Sequence, residues 1–171
     1  MNKANKNADI NQSIAPSSHA HGSGQFKPNT TIAVIVHCNG KFLLVEEIED
    51  DKPVFNQPAG HLEADENLID GAKRELLEET GLDLTPQYCS GIYYFHRPEL
   101  NLYFLRFCFV VNIPKPLETK PQDDEIIATH WLTFEQIKEK QAQMRSPMVL
   151  NCINDFLDGQ NIPLSMIKSN L

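Results

Sequence analysis

The stretch from Gly60 to Leu82, GHLEADENLIDGAKRELLEETGL, constrains this chain more than any other, because a turn there hands over to a helix ending in clustered carboxylates. At about 100° per residue, Leu68, Ile69, Ala72 and Leu76 share one arc, which predicts a stripe facing the core. Glu75, Glu78 and Glu79 occupy a second arc whose Glu79 edge overlaps the apolar one, so these acids are expected at the rim of the core. Arg74 borders the Glu78 edge. Apart from Arg74, this face lacks the interleaved lysines and arginines that usually soften such repulsion. Like-charged pairs at these spacings cost about 0.2–0.5 kcal/mol each, and acids near a helix C-terminus also meet the unfavourable end of the macrodipole. A divalent cation would supply the missing positive charge. Mg²⁺, which takes oxygen ligands and joins carboxylates to phosphates, suits this set better than a metal needing sulfur or imidazole. Gly71, mid-helix in the same arc, is expected to leave room for a ligand.

The rest of the chain reads as one domain preceded by a tail. Residues 1–25, rich in Asn, Ser, Ala, His and Gly, are expected to be disordered, with His19 and His21 simply solvated. Residues 26–171 form the domain, for which 171 residues at 41% hydrophobic composition leave enough core but no second catalytic unit. A net charge of −8 argues against polymeric nucleic acid as a partner. Cys38, Cys89, Cys108 and Cys152 form no CxxC pair and are expected as buried thiols. With no apolar run long enough for a membrane or a signal peptide, the expectation is a cytoplasmic protein without a membrane partner.

Thr30–Cys38 and Phe42–Glu46 predict a hairpin turning at Asn39-Gly40. Ile48–Lys52 is expected as an acidic loop. Pro58 and Gly60 predict a bend before a helix capped by Asp65, with Glu66 in its first turn and Gly81 ending it. Tyr88–Phe95 and Tyr103–Asn112 predict an antiparallel pair, and Glu125–Leu132 a further strand. Thr133-x-x-Gln136 predicts a capped short helix, and Ser146-Pro147 to Gly159 brackets the last one. This order fits α/β or α+β architecture.

The central stretch resembles the Nudix box: Gly60, five residues, Glu66, seven residues, Arg74-Glu75-Leu76, one residue, Glu78-Glu79, one residue, Gly81-Leu82. From about Phe26 to Ile167 the chain is also similar to the bacterial NudJ-type phosphatases. FKP at Phe26, VEE at Val45, NQPAGHLEADE at Asn56, LRF at Leu105, RSP at Arg145 and PLSMI ending at Ile167 carry that likeness. The resemblance implies an α/β/α sandwich with a mixed sheet and the box as a loop-helix-loop. It implies a Mg²⁺ cofactor, with Mn²⁺ able to substitute, held by Glu75, Glu78, Glu79 and the Ala59 carbonyl. Gly60, Glu66, Arg74 and Gly81 would support that shell, and the catalytic base would be Glu75 or the distal acid Glu125.

Other positions carry a functional and a bland reading. His61 is a substrate contact or a solvent-facing loop histidine. Arg145 reaches a phosphate or caps a helix, and Arg106 is outward-facing or recruited to phosphate. Phe55 and Tyr93, with Tyr94 and Phe104, stack a substrate ring or belong to the core. The implied activity is hydrolysis of nucleoside di- and triphosphates and thiamine-pathway pyrophosphates with release of phosphate, by a monomer or homodimer. The rivals are cleavage of a linked nucleoside diphosphate such as ADP-ribose, and a non-catalytic nucleotide-binding sensor.

Overall fold

The computed structural model describes residues 26–171, so the tail and its two histidines lie outside the described residues. Its first strand, β1 (Asn29–Cys38), is buried on both faces from Ile32 to Val36, as its unbroken β-branched run requires of a central strand. Asn39 and Gly40 both take positive φ, turning the chain into β2 (Lys41–Glu49).

The hairpin pairs only near its turn, His37 with Phe42 and Cys38 with Lys41, and then opens into a fork. The segment that follows fills this fork. β3 (Lys52–Asn56) runs along β2, and β4 (Ala59–His61) along β1, with Gln57-Pro58 at the apex and Pro58 O accepting from Val34 N at 2.8 Å. The acidic segment read as a loop is instead a second tight hairpin. Asp50 and Asp51 both adopt positive φ, which aspartate tolerates, and do there what Asn-Gly does in the first turn.

Helix α1 (Leu68–Thr80) begins two residues later than the Asp65 cap implies. Asp65 sits at φ +65° in the approach, and Asn67 caps instead, its side-chain oxygen accepting from Ile69 N and Asp70 N at 3.0 Å each. Glu66 is thereby left outside the helix. Gly81 closes it at φ +74°.

β5 (Tyr88–Arg97) and β6 (Leu102–Asn112) form the antiparallel pair, with β6 parallel to β1. β7 (Ala128–Thr133) pairs with β2 and starts three residues after Glu125, because Asp123 Oδ1 takes the Glu125 amide at 2.8 Å in a turn. Thr133 and Gln136 make the reciprocal capping box of α2 (Phe134–Glu139). Ser146 Oγ accepts from Met148 N at 3.3 Å at the start of α3 (Met148–Leu157), and Gly159 follows at φ +78°. β8 (Ile162–Pro163) pairs with the start of β5.

Helix α1 covers one face of the mixed sheet through Ala72 and Leu76 on Ile32, Val34, Leu43 and Phe109. Helices α2 and α3 cover the other through Ile137, Val149 and Ile153 on Ala33, Ile35, Leu44 and Cys108. The architecture is therefore an α/β/α sandwich. All four cysteines are buried and free, and no helix among the described residues is long and apolar enough to cross a membrane.

The cap assignment has a direct check. Asn67→Ala should lower stability by about 1 kcal/mol, a drop in melting temperature of roughly 2–4 °C at this size. Asp65→Gly, which suits φ +65°, should leave the melting temperature level or higher in the same circular-dichroism scan.

Candidate active site

The fork places the backbone of β4 beside the last turns of α1. Glu79 Oε2 accepts from Ala59 N at 2.8 Å, tying helix to strand, and the Glu79 residue is 6% exposed. Glu75 lies over Gly60, where a Cβ would displace its carboxylate from Arg74, so glycine at 60 serves close approach rather than backbone angle. Gly71 serves another purpose than the ligand space expected of it. The Glu66 carboxylate fills that position, Oε1 lying 3.0 Å from where a Cβ would stand.

Arg74 organises the acids. Its Nε and Nη2 clasp Glu66 at 2.9 and 2.7 Å, Nη1 reaches Glu75 Oε1 at 2.7 Å and Glu78 Oε2 at 3.1 Å, and Nη2 also donates to His61 O at 3.0 Å. All five N–H donors of the guanidinium are thus matched. These partners hold Arg74 more firmly protonated than usual, the Glu66 hydrogen bond first. Arg74 in turn holds Glu66 below the ordinary glutamate range. Glu66 also accepts from Glu63 N at 2.7 Å, so it fastens the approach loop to α1.

One arginine does not neutralise four carboxylates. Burial raises Glu75, Arg74 opposes that, and the charges of Glu78 and Glu66 add to it. Burial pushes Glu79 up to about 9; the Ala59 N–H works against this, and the charges of Glu47, Glu75 and Asp123 reinforce it. Glu78 is the open member, its side chain 47% exposed, beside a hollow of about 320 Å³ lined by Glu78, Gln122 and Asp123. Gln122 N and Asp123 N donate to Glu78 O, and Lys120 N donates to Thr80 O, which docks the 120–125 loop on the end of α1. Gly81 lies against Lys120 O, where a side chain would clash. Glu125 stands exposed on this loop.

Glu47, to which no role was given from sequence, joins the group. It is 9% exposed, its Oε2 is ion-paired with Arg145, and its Oε1 is buried without a partner among the described residues. Burial raises its pKa, Arg145 opposes, and Glu49, Glu125 and Asp123 add to the rise. The available signal was strand continuity: β2 runs through Glu46 and Glu47, so alternation sends them to opposite faces, Glu46 bonding His130 Nε2 at 2.7 Å.

Among the described residues no three acidic, histidine or cysteine side chains form a ready-made metal cage. The donors present are nonetheless oxygen only, mutually repelling and short of positive charge. That fits Mg²⁺, which takes one or two carboxylates and completes its shell with water and substrate phosphate. Glu75, Glu78 and Glu79 would hold it. Ala59 meets this group through its amide, which donates to Glu79.

The substrate candidates divide. Phe55 is 4% exposed and packs in the core on the α2/α3 side, its ring 5.4 Å from His130. Tyr93 points the same way and donates to Asp155 of α3 at 2.7 Å. Tyr94 is exposed, and Phe104 stacks on Phe95. Arg145 is engaged with Glu47, while His61 and Arg106 lie on one face of the sheet, flanking Thr31.

A family description, NUDIX domain, matches residues 27–151. Over 142 residues the chain is 44% identical to Phosphatase NudJ of Shigella boydii and 43% identical to that of Escherichia coli K12, spanning 83% of this chain and 92% of each relative. Among solved structures, a NUDIX hydrolase from Nitrosomonas europaea superposes with a TM-score of 0.79 at 37% identity, covering 84% of this chain and 97% of that one. A bifunctional NMN adenylyltransferase/ADP ribose pyrophosphatase from Francisella tularensis, complexed with AMP and Mn, shares the fold at 22% identity and a TM-score of 0.64; the match covers 81% of this chain and 44% of that one.

The Arg74 clasp carries a pH signature. Because the folded-state pKa of Glu66 is depressed, its contribution is present above the ordinary glutamate value and is lost as pH falls through the folded value. Glu66→Gln should therefore cost about 1–3 kcal/mol at neutral pH. In urea titrations, the gap between wild type and variant should close on acidification below about pH 4, near the unperturbed glutamate pKa.

Proposed function

The chain belongs to the NUDIX family and is a Nudix hydrolase, and from that premise we propose that it uses Mg²⁺ to hydrolyse phosphoanhydride bonds in nucleoside di- and triphosphates and thiamine-pathway pyrophosphates. We further propose that inorganic phosphate is the released product, that the domain spans residues 26–171, and that the enzyme works in the cytoplasm. The observation that carries the reading is the convergence of buried Glu75 and Glu79 on the β4 backbone, with Glu78 drawn beside them by Arg74, the sole ion-pair partner of these acids among the described residues. The likeness over most of the chain to proteins named as phosphatases supports the choice of product.

Water attack on a phosphoanhydride calls for charge stabilisation and positioning more than for a covalent nucleophile. The cation would supply Lewis acidity and neutralise developing charge on the phosphoryl oxygens. The protein's share is orientation. Glu79 is fixed at its depth by the Ala59 amide, and Arg74 fixes Glu75 and Glu78 from behind. Arg74, Glu66, Gly60 and Gly81 act as supports, since each aligns a carboxylate or docks a loop. The water's proton goes to Glu75 or Glu125. Glu75 is favoured, because Arg74 holds one of its oxygens and the other has no hydrogen-bond partner among the described residues. For ADP-ribose cleavage the support is the Francisella tularensis protein described above, matched at 22% identity over less than half of its length, a likeness that speaks for the fold alone.

With Mg²⁺ present, the protein is expected to release inorganic phosphate from GTP or hydroxymethylpyrimidine pyrophosphate. Glu79→Gln should cut the rate by more than the roughly 10–100-fold typical of losing an outer-shell partner, with the circular-dichroism spectrum unchanged. Products are to be separated by ion exchange. Two organic phosphates from ADP-ribose, or full activity in the variant, would contradict the assignment.

A further inference from the structure

Arg106 is an unsatisfied cation at the edge of the core. It is 7% exposed, yet its one hydrogen bond among the described residues is a long one, Nε to Thr31 Oγ1 at 3.5 Å. Its Nη1 is buried with no partner, and no carboxylate of the described residues lies within ion-pair distance. The face of the Phe95 ring, 5.9 Å away, is the remaining compensation. Arg74 in the same molecule matches all five donors, so the deficit at Arg106 is specific to its place. A buried charge left in this condition is expensive, and burial is ordinarily tolerated only with a partner.

The register shows where that partner would sit. His61, Thr31, Arg106 and Tyr93 are cross-strand partners in one row over β4, β1, β6 and β5, so they share a face of the sheet. The row inward of it, Ala59, Ala33 and Cys108, is core; the row outward holds Phe104 and Phe95. Along β4, Gly60 offers its bare face to Glu75, and the next residue, His61, faces the other way. His61 is exposed on this face and offers its ring nitrogens for hydrogen bonding. Tyr93, the far end of the row, is occupied by Asp155.

We propose that Arg106, with His61 on the far side of Thr31 in the same row, grips a phosphate of the substrate on the face of the sheet opposite the carboxylates, and so selects which phosphorylated compounds are turned over. This rests on the hydrolase reading above. A phosphate brings the negative charge and paired acceptors that a guanidinium fork matches, which neither Thr31 nor Phe95 provides. Free inorganic phosphate offers the same chemistry as a substrate phosphate, so the test has an arm for each.

The variants are Arg106→Met, which removes the charge at similar volume, and Arg106→Lys, which keeps charge but loses the fork. With GTP and GDP under Mg²⁺, Arg106→Met should raise KM by about 10- to 100-fold, the worth of a charged hydrogen bond, and leave kcat within about 3-fold. Its melting temperature without ligand should hold or rise by roughly 2–4 °C, since the orphaned charge is gone. Pyrophosphate without metal should stabilise wild type and leave Arg106→Met unaffected. A lower melting temperature with unchanged KM would make Arg106 structural and overturn the proposal. Unchanged KM with loss of stabilisation by inorganic phosphate would show a site for free phosphate, which also overturns it. If Arg106→Met does not fold, Arg106→Lys decides, with raised KM at wild-type melting temperature in favour and wild-type KM against. Should wild type hydrolyse nothing, the hydrolase reading fails by itself. Pyrophosphate stabilisation lost in Arg106→Met would still uphold phosphate binding, and none in wild type would sink the proposal.

Discussion

The hydrogen bond from Ala59 N to Glu79 Oε2 joins the two halves of the site at its buried end. It fixes a carboxylate nearly out of water, where an unpaired charge is costly, against a three-residue strand that β1 holds in place along its length. β4 exists because the first hairpin opens. Had β1 and β2 stayed paired along their length, no edge of β1 would be free for Ala59–His61, and the end of α1 would meet side chains instead of an exposed backbone. The fork is therefore what converts an acidic helix end into a site.

The chain accepts local stress there in a recognisable form. Glu47, Glu75 and Glu79 are all raised by burial before any charge is counted, and each is raised further by another acid. Arg74 and Arg145 relieve one oxygen each of Glu75 and Glu47 and leave the others unbonded. A fold selected for stability alone would place apolar residues of similar volume at such positions. Retaining the acids, and building Gly60 and Gly71 so that Glu75 and Glu66 fit, is the pattern of a site whose stability is exchanged for preorganisation.

Much of this was legible from local chemistry. Asn39-Gly40, the Thr133–Gln136 box, Gly81 and Gly159 each act through their own backbone preferences, and the structure finds each in that role. The apolar stripe of α1 follows from period alone. What sequence left hidden depends on partners far along the chain. Asp50-Asp51 reads as solvated charge until β3 is known to return along β2. Asp65 and Asn67 are both acceptable caps, and only the path of the loop separates them. Gly71 is a small residue facing the acids, but that Glu66 fills its space is a fact of Arg74 drawing Glu66 back onto the helix. Glu47 was obscured by ending its strand at Glu46, one residue short of the acid that matters.

Arg74 and Arg106 sharpen the distinction between charge that builds a site and charge that waits for a ligand. Both are partly or wholly withdrawn from solvent, on α1 beside β4 and on β6 across β1 from it, and a count of charges treats them alike. Arg74 spends every donor on the protein, so its removal would disorganise acids and loop together. Arg106 spends one, weakly, and the strand register gives it polar neighbours in a row rather than a carboxylate. Hydrogen-bond accounting thus separates what charge and burial cannot: the satisfied arginine explains how the carboxylates are held, and the unsatisfied one is the observation on which the proposed phosphate contact rests.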